Sequence, residues 1–316
     1  MVGDLIELLR AGRLARRPVK SRWSRTRQGL LEHVARAIGT RALADFSAAD
    51  LWLLQHYGLS VGLAASTVNK ITHNVLRGLL SAAVAHGLMP PAVVARAYAG
   101  GRKLREAAPA DRLPWTRAER DTLLEAMRRD PYAAHYVAYV AFLFYTGMRP
   151  GEALGLTWGC VDLRRRWCRI FRGRSEGEKA PTTLKTAGSV REIRLARSAV
   201  AVLAGLRRRA DDELIFLGPR GAPIRQGNFS QRIWKRVLQR VAGRVPPRVV
   251  YCARHTFSSH AIEHTGDIAQ TAAYTGNSPE TARKRYYRWT KGLDVDLDEA
   301  LAPRSLGRLH PRGLQN

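Results

Sequence analysis

Apolar positions recur at helical spacing through much of the chain. Ser47-Ala-Ala-Asp50 is a capping-box-like start for a helix that carries Leu51, Leu53 and Leu54. Val68, Ile71, Val75 and Leu79 then fall on one helical face, and Gly87 with Pro90 marks the stop. The opposite face carries Thr67, Asn69, Lys70, His73 and Arg77, which is either an ordinary solvated surface or one that faces a polyanion. A second capping box, Thr116-Arg-Ala-Glu119, precedes a continuous apolar run at Tyr136–Tyr145 that ends in Thr146-Gly147. Thr182–Leu184 and Val190–Leu195 flank KTAGS and predict a β-hairpin whose apolar positions are Val190, Ile193 and Leu195. Further helices are predicted over Arg232–Val241 and after Arg254. The fold class is therefore mainly α with a small β-sheet (α+β), and no internal repeat is evident.

Punctuation divides the chain. Residues 10–28 contain the basic run RLARRPVKSRWSRTR, read either as a DNA-touching arm or as a charged terminus. GGRKLREAAPADRLP at 100–114 is rich in Gly, Pro and Ala and marks a boundary. The expected organisation is a basic arm over 1–27, a helical domain over 28–99, a linker over 100–112, a second domain over 113–292 and a tail over 293–316.

Charge changes this picture most. The 316 residues hold 53 Lys and Arg against 26 Asp and Glu, a formal net charge of +27. Such an excess costs self-repulsion unless a polyanion offsets it, so nucleic acid is the leading partner, ahead of an anionic membrane surface. The run at Tyr136–Tyr145 is far shorter than the roughly 18–20 residues that span a bilayer. The first residues lack the apolar core and cleavage site of a signal peptide. Cys160, Cys168 and Cys252 show no paired spacing, and they read as reduced thiols in a cytoplasmic protein with no metal and no cofactor.

Separate cations sit at the structural punctuation of the second domain. Arg149 lies in YTGMRPGEALGL, Lys185 in TLKTAGSVREIRL and Arg254 in YCARHTFSSH, while RKRYYRW at 283–289 sets two tyrosines among cations. Singly, each has an ordinary reading as a helix-end or solvated residue. Together they resemble the tyrosine recombinase (phage-type integrase) family. Thr146-Gly147-Met148-Arg149-Pro150-Gly151-Glu152 reproduces that family's T-G-x-R-x-x-E box, and Lys185 matches its hairpin lysine. Tyr251-Cys252-Ala253-Arg254-His255-Thr256 corresponds to H-x-x-R-H-T, and Thr275-Gly276-Asn277-Ser278 to L-G-H-S. Nine residues beyond Asn277 stands Tyr286, the nucleophile the resemblance selects, with Tyr287 as the alternative. The match covers 113–290 and extends more loosely over 28–95, which looks like the family's helical, SAM-like core-binding domain.

The resemblance implies a site-specific DNA recombinase that acts on double-stranded DNA as a homotetramer, with no small-molecule substrate and no membrane. It implies cleavage through a 3′-phosphotyrosyl link, with Arg149 and Arg254 holding the scissile phosphate and Lys185 as general acid. Arginine suits the grip because it stays protonated and spans two oxygens at once. A phenol with pKa near 10 lies roughly 4 kcal/mol from ionised at neutral pH, and a cluster of cations offsets much of that. Glu152 reads as a support for Arg149 or its helix, His255 as a buried hydrogen-bonding residue, and Trp289 as packing. Two positions depart from the family: Tyr251 and Asn277 replace histidines, and lost acid–base assistance is worth about 10²–10⁴-fold. A DNA-binding relative with impaired turnover is accordingly the alternative, and a type IB topoisomerase-like enzyme a third reading. The acidic stretch GLDVDLDEALAP is either a solvated end or, by resemblance, a helix that docks on a neighbouring protomer.

Overall fold

The computed structural model describes residues 1–14, 21–106, 113–176, 178, 180–183 and 189–283. It forms two units, Met1–Pro109 and Ala110–Asn316.

The first unit is helical: α1 (Val2–Arg10), α2 (Ser21–Ile38), α3 (Ala48–Ser60), α4 (Ala65–Lys70), α5 (Arg77–Ala85) and α6 (Pro91–Gly100). A π-helical turn, Ile71–Leu76, joins α4 to α5 without a break. Val68, Ile71, Val75 and Leu79 are all buried, as their spacing predicts, and Gly87 adopts φ 70° just past the helix end. Ser47 and Asp50 form the expected capping box on α3, whereas Leu53 is 38% exposed and stands apart from the buried Leu51 and Leu54.

The expected arm over 1–27 is corrected. Val2, Leu5 and Ile6 share one face of α1 and are buried with Leu31, Val34 and Ile38 of α2. Apolar residues at i, i+3 and i+4 give that helix a stripe that can only be covered by packing on the bundle. The first unit therefore begins at α1 rather than at residue 28.

In the second unit Thr116 and Glu119 cap α7 (Arg117–Arg129) reciprocally, at 3.1 Å and 2.7 Å. The apolar run forms α8 (Val137–Thr146), and its neighbours α7, α10 (Arg197–Ala204) and α13 (Cys252–Thr265) pack around it. Burial on every side explains its lack of a polar face. The short α9 (Pro150–Leu154) follows, then β1 (Val161–Asp162), β2 (Trp167–Ile170), β3 (Arg172–Gly173), β4 (Thr182–Thr183) and β5 (Arg191–Arg194). Helices α11 (Gln226–Asn228) and α12 (Lys235–Arg240) flank a π-helical turn, and α14 (Ile268–Thr275) follows α13.

The predicted pairing of the two strand segments is also corrected. Among the described residues β4 pairs with β3, while β5 joins an antiparallel sheet of order β1-β2-β5. Register follows the core: Ile193 faces Cys168, and Ile193 and Leu195 are buried, but Val190 is 46% exposed. The connecting residues 184–188 lie outside the described ones. Among the described residues no helix is long and apolar enough to cross a membrane.

Candidate active site

Helix α8 stops at Gly147, which takes φ 62° and leaves its carbonyl at the helix end. Two residues on, Arg149 caps α9 with Pro150 in the first turn, a position where the missing N–H of proline costs nothing. Glu152 closes the turn. Its Oε2 accepts the Arg149 backbone N–H at 3.0 Å and its Oε1 accepts Arg149 Nη1 at 2.6 Å. Arg149 Nη2 donates to the carbonyl of Gly276 at 2.8 Å, and one third of the side chain stays exposed (33%).

Arg254 arrives from the first turn of α13 and is 1% exposed. Its Nη1 donates to Gly147 O at 2.8 Å and its Nη2 to Asn277 Oδ1 at 2.7 Å. Burial, then the charge of Arg149, lowers its pKa to about 10, which still leaves it protonated at neutral pH. Because arginine can only donate, it fixes the Asn277 amide with its oxygen toward Arg254, and Nδ2 lies 3.4 Å from Thr275 Oγ1. The two guanidinium groups, separated by 105 positions in sequence (254 − 149), thus converge on one dipeptide, Gly276-Asn277.

Arg191 on β5 is a third cation here, and it escaped sequence reasoning. Its Nη2 reaches Glu152 Oε2 at 3.0 Å and its Nε donates to Tyr274 O at 2.8 Å. The available signal was alternation: Arg191 shares the strand face of the buried Ile193 and Leu195. Burial alone would raise the Glu152 carboxyl, but the hydrogen bonds and charges of Arg191 and Arg149 hold it below the usual carboxylate range.

Of the remaining expected residues, Tyr251 precedes α13 with its ring edge-on to His255, centroids 5.4 Å apart. His255 and Cys252 are buried. Lys185 and Tyr286 lie outside the described residues. Ser278 Oγ accepts the Thr281 N–H at 3.2 Å, so it caps the helical turns over 279–283 that lead toward Tyr286 in sequence.

In the first unit the residues expected on a polyanion-facing surface differ in exposure. Asn69 is corrected: it is 5% exposed, donates to Leu104 O at 2.9 Å and accepts from Leu104 N at 2.8 Å. An amide matches the donor and acceptor of a neighbouring backbone, so this side chain pins the segment after α6 instead of facing solvent. Thr67, Lys70 and His73 are half-buried, and the His73 ring meets Tyr98 edge-on at 5.8 Å. Arg77 is exposed and lies over the Tyr98 ring, 5.0 Å from its centroid.

Three comparisons bear on this geometry. The family model described as the phage integrase family matches residues 115–292. The tyrosine recombinase XerD of Halalkalibacterium halodurans is 26% identical over 180 residues, 56% of this chain and 57% of that protein. The chain thus spans little more than half the length of this relative. The tyrosine recombinase XerC of Serratia marcescens is 26% identical over 260 residues, covering 81% of this chain and 79% of its own length. Among solved structures, the Tn1549 transposon integrase in complex with a circular intermediate DNA superposes with a TM-score of 0.75 at 16% identity, covering 90% of this chain and 94% of that one. At that identity the likeness establishes the fold, α-helical with small antiparallel sheets.

Proposed function

The chain belongs to the phage integrase family, and from that premise we propose that it is a site-specific DNA recombinase that cuts and rejoins strands of double-stranded DNA through Tyr286. The observation that carries this reading is the convergence of Arg149 and Arg254 on Gly276-Asn277. One buried and one partly exposed cation, brought to one spot with an amide, suit a group that gains negative charge as it reacts.

In this reading the Tyr286 hydroxyl gives up its proton to water as its oxygen attacks the scissile phosphorus, and the bond to the 5′-oxygen breaks. Lys185 supplies the proton that the departing 5′-oxygen takes up. The 3′-phosphoryl group stays on the tyrosine, so the energy of the phosphodiester is kept for religation by an incoming 5′-hydroxyl. Arg149 and Arg254 hold the non-bridging oxygens, and Asn277 Nδ2 adds a neutral donor. The Tyr251 hydroxyl takes the place of the other histidine, donating or accepting a hydrogen bond without titrating near neutrality. Lys70, Thr67, His73 and above all Arg77 of the first unit contact the duplex backbone. Two duplexes present four strands, each held by one tyrosine, so exchange takes a tetramer. The acidic segment around Asp294, Asp296 and Asp298 docks on a basic neighbour in that assembly; gel filtration on DNA of a chain truncated at Leu293 tests this, and unchanged assembly removes the docking role.

The decisive experiment uses a nicked suicide duplex carrying a site selected by the protein from a randomised pool. A denaturant-resistant protein–DNA adduct is expected, and Tyr286→Phe abolishes it. No adduct from the parent overturns the catalytic reading, and an adduct that survives in the phenylalanine variant moves the nucleophile to Tyr287.

A further inference from the structure

Glu152 is 3% exposed and meets two guanidinium groups. Oε1 accepts from Arg149 Nη1 at 2.6 Å and Arg191 Nη1 at 3.3 Å, and Oε2 from Arg191 Nη2 at 3.0 Å and the Arg149 backbone at 3.0 Å. The two arginines differ in how they are held. The Arg191 side chain is 8% exposed and is anchored further by the carbonyls of Tyr274 at 2.8 Å and Ser189 at 3.1 Å. Gly276, at φ 68°, closes the remaining side, since a Cβ there would lie 2.8 Å from Arg191 Nη1. Arg149 binds the carboxylate through one side-chain nitrogen and keeps 33% of its side chain exposed.

A buried carboxylate with a single cation holds that cation fast, because separating them leaves an uncompensated charge away from water. With a second, forked cation in place it stays compensated when the first turns away. We propose that Arg191 is a positioning residue: it keeps Glu152 neutralised so that Arg149 presents its guanidinium, with its charge uncancelled, to the scissile phosphate. This rests on the recombinase reading above. It also explains why an arginine sits on the buried face of β5, where the pattern calls for an apolar residue. Without Arg191, Arg149, already 2.6 Å from Glu152, becomes the only counter-charge of that carboxylate and is held on it, and the phosphate loses one of its two grips.

Adduct formation on the suicide duplex at saturating protein gives the first readout. Arg191→Ala is expected to slow it by about 10²-fold, the scale of one lost charge-stabilising donor. Affinity for the whole duplex changes little, since that is spread over many phosphates. Adding Glu152→Gln to Arg191→Ala is expected to recover at least about tenfold of the rate, because no buried charge then competes for Arg149. Arg191→Lys, which keeps the charge without the fork, falls between. A strut that merely braces β5 gives the opposite result: the double variant is as slow as Arg191→Ala or slower, which overturns the proposal.

The second readout needs no cleavage. The parent binds a duplex with a phosphodiester at the scissile position more tightly than one with a neutral methylphosphonate there, and Arg191→Ala shrinks that preference to what Arg254 alone sustains. A preference undiminished in Arg191→Ala also overturns the proposal. If the parent makes no adduct, the catalytic reading falls by itself and the binding comparison still decides the role of Arg191. Melting curves accompany every variant, and if Arg191→Ala does not fold, both comparisons are made on Arg191→Lys.

Discussion

Two opposed influences act on the Glu152 carboxyl. Burial favours its protonated form more than any other single contribution, yet Arg191 and Arg149 together outweigh it and leave the pKa depressed. A group with a folded pKa below its unfolded value stabilises the fold fully above the unfolded pKa, about 4.3. That contribution is lost as pH falls through the folded pKa. Glu152→Gln removes it, so the difference in melting temperature between parent and variant is expected to be wide at pH 7 and to narrow steadily below pH about 4.3. Calorimetry across that range checks it, and a gap that widens on acidification contradicts the assignment. Arg254 behaves differently. Its pKa is lowered to about 10 by burial and by Arg149, so it contributes no inflection to a rate profile between pH 6 and 9.

Gly147 shows how one element depends on another. It ends α8 with φ 62°, and a Cβ there would come within 2.4 Å of Phe257 Cδ1 on α13. The same residue's carbonyl receives Arg254, three positions before Phe257 in that helix. Gly147→Ala combines a left-handed backbone with a clash against a ring, and is expected to cost about 2–4 kcal/mol. For a unit of this size that is a fall in melting temperature of about 5–15 °C, with slower adduct formation as Arg254 shifts. The glycine of the first box is thus a geometric requirement, and it was legible in sequence through the family resemblance that the box carries. So were α8, from its unbroken apolar run, and the α4–α5 helix, from its period. Strand pairing was not: β5 chose β2 because Ile193 had to meet Cys168, a partner 25 positions away (193 − 168) that local alternation cannot reveal. Arg191 and Asn69 stayed hidden for the same reason. Their roles depend on what packs opposite them, Glu152 in one case and the backbone of Leu104 in the other.

At the scale of the molecule, the formal charge of +27 overstates what DNA can use. That figure is already net of the acidic residues that pair with arginines, such as Asp130 with Arg236 and Arg240 or Glu152 with Arg191, but it counts every remaining cation whether or not it reaches the duplex. Salt dependence counts only phosphates whose counterions are released, about 0.9 of a unit of slope each. The slope of log K against log salt is therefore expected near that of roughly 6–10 contacts, far from the value the net charge would give. Arg77 supplies the residue-level check. It is exposed, and stacking over Tyr98 at 5.0 Å holds its guanidinium outward from the first unit at little entropic cost. If it meets a phosphate, Arg77→Ala reduces the slope by about one and weakens binding equally on selected and random duplexes. The rate of adduct formation at saturation is expected to stay as it was, because Arg77 belongs to the first unit and the residues proposed for the chemistry to the second. Fluorescence anisotropy titrations at several salt concentrations measure the slope, and an unchanged slope in the variant places Arg77 away from the duplex.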